Sequence, residues 1–168
     1  MLVDIAQISN GLTNRIDLEM IIAQEEWAVS FQAFKLAGDA SFSGMLMADE
    51  NGVITITGHL NAHIVSQCAR CLVSVPLDLV LPVDECFECI GQERQPDSDC
   101  YSYERSTIDL IPALRDTLVL SVPQRILCHE TCKGICPECG VDLNKETCSC
   151  SKEGLKQDNP FSQLKELL

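Results

Sequence analysis

Cysteines are the residues of this sequence with the clearest capacity for chemistry. The 168-residue chain contains eleven, at positions 68, 71, 86, 89, 100, 128, 132, 136, 139, 148 and 150. Three pairs have the C-x-x-C spacing, which lets two sulfur atoms face one metal ion. An odd count argues against a disulfide framework, and so does the reducing cytosol in which we expect the chain to reside. The spacings therefore favour thiolate ligands of a metal.

The densest cluster lies in the segment 128–150, which holds six cysteines. Within it, the run Cys136-Pro137-Glu138-Cys139-Gly140 has the form of a zinc knuckle. The proline presets φ in the turn, and the glycine can take a positive φ that turns backbone N–H groups toward the sulfurs. Cys148 and Cys150 follow after a loop long enough to fold back. These features predict a four-cysteine zinc site.

The pair Cys68 and Cys71 is the second candidate for metal binding. Strand-like runs flank it, so we expect it at the tip of a β-hairpin. Cys128 and Cys132 are suitable partners and would complete a second four-cysteine site, but the spacing leaves a rival arrangement open. The rival pairs Cys68/Cys71 with Cys136/Cys139, and Cys128/Cys132 with Cys148/Cys150. His129 could also replace one cysteine as a ligand.

The eight predicted ligands of two structural zinc ions are Cys68, Cys71, Cys128, Cys132, Cys136, Cys139, Cys148 and Cys150. Cys86 and Cys89 are a weaker candidate for additional metal binding. They could form a third site with Cys100, or they could be free thiols in a loop. An iron–sulfur cluster uses the same ligand type, but the knuckle turn favours zinc.

No motif in the sequence indicates catalysis. The chain has no Walker loop, G-x-S-x-G or H-E-x-x-H segment. His59 and His63 suit half-exposed strand positions better than a catalytic dyad. A thioredoxin-like pair needs a helix N-terminus around it, whereas the residues after Cys71 are β-like. Since a zinc ion held by four thiolates has no open coordination position, we expect no enzyme activity and no small-molecule substrate.

The chain is strongly acidic, with a formal net charge of -13 and a pI near 4.4. Such a surface suits a basic partner better than a long stretch of nucleic acid, because phosphate binding needs clustered Lys and Arg. The first residues lack a basic leader, and the apolar runs are too short and interrupted to span a membrane. We therefore expect a cytoplasmic protein.

The elements that must position the cysteines fall into five parts of one domain, 1–168. A β-rich part, 1–83, is followed by an acidic loop, 84–106, a helix, 107–121, the zinc lobe, 128–150, and a C-terminal helix, 159–168. The predicted fold class is α+β, with an antiparallel sheet that could close into a barrel-like form, a central helix and a C-terminal helix.

Several strands of that sheet can be placed from the pattern of residues. Residues 2–8 alternate weakly, and residues 27–36 alternate in the pattern of a half-buried strand. Residues 40–48 and 53–66 form strand-like runs around the turn Glu50-Asn51-Gly52. The run 72–83 contains two prolines, which indicates an edge or bulged strand. We interpret this half of the chain as an antiparallel meander.

Four blocks resemble one known family. They are Cys68-Ala69-Arg70-Cys71, the helix opening Ile108-Asp109-Leu110, the run from Cys132 to Asn144 with Cys148-Ser149-Cys150, and Asn159-Pro160-Phe161. Together they are similar to the YceD family of bacterial and plastid proteins, named for accumulation of large-subunit ribosomal RNA. The resemblance is consistent with two separable sites, one from Cys68/Cys71 with Cys128/Cys132 and one from Cys136/Cys139 with Cys148/Cys150. Cys86 and Cys89 are not part of the pattern.

The resemblance implies a non-enzymatic factor in ribosome biogenesis, with a large-subunit ribosomal protein or pre-ribosomal rRNA as partner. The surplus cysteines Cys86, Cys89 and Cys100 motivate a second hypothesis, a thiol or zinc redox sensor or a metal reservoir. Rapid thiol oxidation with metal release would favour the second hypothesis.

Overall fold

A computed structural model of the chain describes residues 1–27, 33–91 and 98–150. Its elements comprise eight strands, two α-helices and one short 3-10 helix, Gln24–Trp27. In chain order they are β1 (Leu2–Asp4), α1 (Ala6–Ser9), β2 (Arg15–Ile22), β3 (Phe34–Leu36), β4 (Ala40–Ala48), β5 (Ile54–Gln67), β6 (Ser74–Cys89), β7 (Tyr101–Tyr103), β8 (Thr107–Asp109) and α2 (Ile111–Ser121). The predicted α+β class is broadly consistent with this architecture.

The main sheet has six strands in the order β2-β4-β5-β6-β7, and β3 pairs with β5. All pairs are antiparallel except β6 with β7. A second sheet consists of β1 and β8. Among the described strands, β2 and β7 lie at opposite ends of the main sheet without pairing. The sheet therefore stays open, and the prediction that it could close into a barrel-like form was wrong.

The β4–β5 hairpin confirms the predicted turn at Glu50-Asn51-Gly52. Ala48 pairs with Ile54 across the turn. The Asp49 carboxylate accepts hydrogen bonds from the backbone N–H groups of Asn51 and Val53, both at 2.8 Å. Gly52 has φ of 79°, a left-handed conformation that glycine adopts without steric cost. The local chemistry of the turn thus fixes the register of the two long strands.

The hydrophobic core lies between one face of the main sheet and α2. Alternate residues of β4 and β5, such as Phe42, Leu46 and Ile56, are at most 1% exposed, as are Leu114 and Leu118 of α2. Burial of each such side chain contributes about 1.5–3 kcal/mol relative to exposure. The residues that alternate with them on the opposite face of β4 and β5 are mostly polar and are exposed or half-buried. This one-sided burial produces the period of two in the strands.

The acidic segment 84–106 is not the loop that its composition suggested. Strand β6 continues through Cys89, and its pairing with β5 extends to Phe87, which is 1% exposed. Residues 101–103 then form β7. The inward-facing positions Val83 and Phe87 are apolar and buried. Their burial extends the strand, although the same segment also contains Asp84, Glu85 and Glu88.

The helix predicted over 107–121 begins later than expected. Residues Thr107–Asp109 form β8, which pairs with β1. Helix α2 starts at Ile111 and has a proline in its first turn, where the missing N–H costs no intrahelical hydrogen bond. The Asp109 carboxylate accepts a hydrogen bond from the Ile111 N–H at 3.2 Å. The aspartate thus joins the strand to the helix.

Three further expectations have mixed outcomes. Residues 2–8 divide into β1 and α1, and among the described residues of the run 27–36 the strand is β3. Residues 28–32 and the predicted C-terminal helix 159–168 lie outside the described residues. The sequence interpretation missed β2, although its burial alternates along its length. Within the described part of the chain, no helix is long and apolar enough to cross a membrane.

Candidate metal centres

Four cysteines from two distant segments converge in what we call the first group: Cys68, Cys71, Cys128 and Cys132. Cys68 and Cys71 lie between β5 and β6, and the other two follow α2. The Sγ atoms of Cys68 and Cys132 are 3.8 Å apart, and those of Cys71 and Cys128 are 3.6 Å apart. All four sulfurs lie within 4.8 Å of one another.

The hairpin tip presents its two sulfurs through a tight turn. The Cys68 N–H donates to the Val73 carbonyl at 2.8 Å, and the Leu72 N–H donates to the Cys68 carbonyl at 3.0 Å. The Ala69 N–H donates to the Ile126 carbonyl at 2.8 Å. This last bond ties the tip to the segment that follows α2. It thereby brings Cys128 and Cys132 to the hairpin.

Two thiols of the first group, Cys68 and Cys128, have very different pKa values. Burial would raise the pKa of Cys68, which has no exposed surface, but backbone N–H groups of Arg70, Cys128 and Cys71 lower it to about 6. Burial and the neighbouring thiols raise the pKa of Cys128 to about 12. One sulfur thus ionises readily, and the crowding of like charges then opposes further ionisation. A divalent cation would remove that opposition.

The second group lies within one short segment and comprises Cys136, Cys139, Cys148 and Cys150. The Gly140 N–H donates to the Cys136 carbonyl at 2.9 Å, and Gly140 has φ of 74°. This is the knuckle turn that the sequence predicted. The Cys148 thiol donates to the Cys136 sulfur at 3.5 Å. The loop between the two cysteine pairs has therefore folded back as expected.

Backbone donors also favour ionisation in the second group. The N–H groups of Cys139 and Glu138 lower the pKa of Cys136 to about 7. The Cys139 side chain, followed by burial, raises the pKa of Cys150 to about 12. Each group therefore combines one easily ionised thiol, Cys68 or Cys136, with a thiol of raised pKa, Cys128 or Cys150. A bound cation would favour the ionised form of all four.

Both groups fit a tetrahedral ion. With Zn–S bonds of about 2.3 Å, the sulfur atoms of a tetrahedron are about 3.8 Å apart. The three measured Sγ–Sγ distances are 3.5, 3.6 and 3.8 Å. Each group of four could therefore hold a metal ion. The distances are consistent with zinc.

The grouping decides between the arrangements that the spacing left open. Cys68 and Cys71 meet Cys128 and Cys132, so the rival pairing with Cys136 and Cys139 was wrong. The Nδ1 atom of His129 lies 3.1 Å from the Cys128 sulfur. His129 therefore contacts a member of the first group without replacing it.

The first group and the second group meet at a compact junction. The Arg70 guanidinium donates to the Cys132 carbonyl at 2.6 Å, and the Ile135 N–H donates to the Arg70 carbonyl at 3.2 Å. Gly134 is buried with φ of 79°, and a Cβ atom added there would lie 3.0 Å from the Arg70 carbonyl oxygen. The segment after Cys132 thus packs directly on the hairpin tip.

Cys86 does not belong to a metal group. It forms a disulfide with Cys100, with Cα atoms 4.7 Å apart, a separation that is normal for this bond. The expectations of free thiols in a loop and of no disulfide were therefore wrong for this pair. Cys89 is a free thiol in β6. Within the described residues, no third group of potential ligands forms around it.

The histidines of β5 do not form a site with each other. Both are exposed on the polar face of the sheet. The Nδ1 atom of His63 lies 2.6 Å from the Asp78 carboxylate. Because residues four apart in a strand are separated by about 13 Å, His59 and His63 cannot act as a dyad.

The sequence interpretation gave no role to Asn144, whose amide nitrogen lies 3.4 Å from the Cys132 sulfur. Its signal in the sequence was the pair Asp142 and Asn144 in a short loop between two cysteine pairs. Such residues readily form local hydrogen bonds. That pattern does not indicate a hydrogen-bond partner outside the loop, such as the Cys132 sulfur.

Comparisons with known proteins agree with these motifs. The family model described as "Large ribosomal RNA subunit accumulation protein YceD" matches residues 56–168, well over half of the chain. The chloroplastic YCED homolog 1 of Arabidopsis thaliana is 36% identical over 64 residues, which cover 38% of this chain and 20% of that protein. No solved structure matches the chain.

Two bacterial relatives carry no functional description. An uncharacterized protein of Mycobacterium tuberculosis is 31% identical over 96 residues, 55% of this chain and 46% of that protein. The uncharacterized protein YlbN of Bacillus subtilis is 30% identical over 84 residues, 49% of each protein. The matches therefore span about half of these relatives or less. The family match over residues 56–168 nevertheless covers both cysteine groups, and the chain belongs to the YceD family.

Proposed function

We propose that this protein is a non-enzymatic, zinc-stabilised factor in ribosome biogenesis, acting in large-subunit rRNA accumulation or large-subunit assembly. The observation that carries the proposal is the match of residues 56–168 to a family described by accumulation of large ribosomal RNA. The Arabidopsis relative carries the same description in its name.

Zinc is the metal that best suits the two cysteine groups. Four thiolates in a tetrahedron are a common structural zinc site, and they leave no position for water or substrate. The first group would join the hairpin tip to the segment after α2. The second group would close the segment 136–150, which begins with the knuckle turn and which we call the knuckle lobe. The role of both ions would be to hold a binding surface in shape, without catalysis.

The acidic surface supports a basic partner. On the polar face of the sheet, Asp17 and Glu19 of β2 and Asp78 and Asp84 of β6 are exposed. The whole chain has a net charge of -13. Such a surface would attract a basic large-subunit ribosomal protein, whereas contact with pre-ribosomal rRNA would need a local cluster of cations. We assign the function to the cytoplasm, where the large subunit is assembled in bacteria.

A depletion experiment tests the proposal. Removal of the gene should lower the ratio of large-subunit to small-subunit rRNA, and the wild-type chain should restore it. Cys68→Ser, which removes a sulfur of the first group, should restore it poorly. Cys89→Ser, which alters a thiol outside both groups, is the matched control. An unchanged rRNA ratio, together with affinity purification that recovers no ribosomal proteins or pre-ribosomal particles, would contradict the proposal.

The disulfide between Cys86 and Cys100 favours a second candidate function, a thiol redox sensor. The two residues are 14 positions apart, and their bond joins β6 to the segment entering β7. In the sensing step, hydrogen peroxide would take two electrons and two protons from the two thiols, leaving one disulfide and two waters. A metal reservoir would differ, because it would release zinc from either group under the same oxidant.

Differential alkylation separates these roles. A sensor requires Cys86 and Cys100 to be reduced in unstressed cells and to become linked after brief peroxide exposure. Cys89 should remain a thiol throughout and serves as the internal control. A bond that is fully formed in unstressed cells would make the disulfide structural. Zinc release at the same peroxide dose would favour the reservoir.

A further inference from the structure

The side chain of Asn144 links the two cysteine groups. Its Nδ2 atom lies 3.4 Å from the Sγ atom of Cys132, a member of the first group. Asn144 itself belongs to the loop between Cys139 and Cys148, which the second group closes. A sulfur of one group therefore receives a hydrogen bond from the loop of the other.

The carboxamide of Asn144 is held at both ends. Its Oδ1 atom accepts a hydrogen bond from the Lys133 N–H at 2.7 Å. Its Nδ2 atom also donates to the Asp142 carboxylate at 2.7 Å. The carboxylate in turn accepts the Asn144 backbone N–H at 3.0 Å. These contacts fix the plane of the amide, so its N–H is aimed at the Cys132 sulfur before any ion binds.

The loop that carries Asn144 is anchored to the knuckle and to the junction. The Leu143 N–H donates to the Gly134 carbonyl at 2.9 Å, and the Cys136 N–H donates to the Val141 carbonyl at 2.9 Å. Ile135 and Asp142 form an antiparallel bridge. Any opening of the knuckle at Cys136 would therefore move the loop and withdraw Asn144 from Cys132.

We propose that Asn144 is a positioning residue that makes metal retention by the first group depend on closure of the second group. The inference rests on the proposed binding of two ions. An N–H donated to a thiolate sulfur disperses its charge and fixes its direction toward the ion. Loss of such an outer contact lowers metal affinity by about 10- to 100-fold in comparable sites.

Two variants test the contact in the full zinc-loaded chain. Asn144→Ala removes the whole carboxamide. Asn144→Asp keeps an oxygen for the Lys133 N–H but replaces the donor with a second oxygen. Thr147→Ala, an exposed change in the same loop, is the matched control. The readout is the alkylation rate of each cysteine in the presence of a chelator, resolved by peptide mass spectrometry.

Both Asn144 variants should speed alkylation of Cys132 by about 10- to 100-fold, while Thr147→Ala should match the wild type. In the cobalt-loaded chain, the thiolate-to-metal band should also move to lower energy in Asn144→Ala, because the sulfur has lost a hydrogen bond. General loosening of the lobe would weaken the band without moving it. That result, or unchanged protection of Cys132, would overturn the proposal.

A double-mutant cycle tests the dependence on the second group. Cys148→Ser should itself speed alkylation of Cys132, and adding Asn144→Ala to it should have little further effect. Independent, multiplicative effects would show that the coupling does not pass through Asn144. A wild-type chain without bound metal would contradict both this inference and the proposed zinc function. Two bound ions with normal protection of Cys132 in Asn144→Ala would contradict the inference alone.

Discussion

The first group joins parts of the chain that are far apart, whereas the second group closes within one short segment. Cys71 and Cys128 are 57 positions apart, while Cys136 and Cys148 are only 12 positions apart. Closing the longer loop costs about 1.4 kcal/mol more chain entropy. The difference teaches that the second group can form from local turn chemistry. The first group forms only after the sheet and α2 have brought its members together.

The same difference separates what each ion would do for stability. An ion in the first group would fasten the segment after α2 to the hairpin tip and thereby restrict a long stretch of chain. An ion in the second group would order only the knuckle lobe, which has no long strand or helix among its described residues. Metal binding and folding should therefore be coupled globally in the first case and locally in the second.

Replacing one sulfur in each group should give the largest contrast. Cys68→Ser removes a thiol with no exposed surface and should lower the Tm by about 10 °C or more, because the restraint on a long segment is lost. Cys148→Ser should lower the Tm by less, because it removes no sulfur of the first group and weakens the binding of that group's ion only through Asn144. Scanning calorimetry with zinc analysis of each variant measures both effects. Equal Tm losses would break the comparison.

Acid should release the two ions in a definite order. Metal binding keeps the thiols ionised below their ordinary pKa, so the stability that it provides is present at neutral pH and is lost as the pH falls. The pKa of Cys68 is about 6 and that of Cys136 about 7. We therefore expect the second group to release its ion at a higher pH than the first.

Absorbance of the cobalt-loaded chain between pH 8 and pH 4 would follow this order. Single-site variants of each group would assign the two transitions. Release of both ions in one step, or of the first group's ion at the higher pH, would contradict it.

Substitution of two glycines should lower the free energy of unfolding by a smaller amount, and the two losses can be compared directly. Gly134→Ala and Gly140→Ala both place a side chain at positive φ, 79° and 74° respectively, at a cost of about 1–2 kcal/mol. Only at Gly134 would the new Cβ also crowd the Arg70 carbonyl oxygen, whereas the space around Gly140 is open within 4 Å. Urea denaturation should therefore show a greater loss for Gly134→Ala. A greater loss for Gly140→Ala would mean that the junction is less closely packed than its contacts indicate.

The smallest expected effect is at Arg70. Its guanidinium donates to the Cys132 carbonyl at 2.6 Å from a partly exposed position, so Arg70→Ala should cost about 1 kcal/mol. Arg125→Ala, at an exposed position in the segment after α2, is the control for the loss of a positive charge. Chemical denaturation of both variants at matched salt measures the difference. Equal losses would assign the effect to charge alone.

The sequence predicted those parts of the molecule that depend on neighbouring residues. The turn at Glu50-Asn51-Gly52 and the knuckle at Cys136-Pro137-Glu138-Cys139-Gly140 formed as expected, because glycine and local hydrogen bonds specify them. The eight cysteines proposed as ligands are the eight that the structure brings together in two groups. Their capacity to act as metal ligands follows from residue type and from the spacing within each pair.

Only the tertiary structure decided how the pairs combine and where the sheet ends. Cys68 and Cys71 had two possible partner pairs, and the hydrogen bond from Ala69 to Ile126 places them beside Cys128 and Cys132. The disulfide of Cys86 depends on the approach of Cys100 to β6. Both outcomes arise from contacts between residues distant in the chain. Periodicity and local spacing carry no information about such contacts, since they are selected by burial of a shared core.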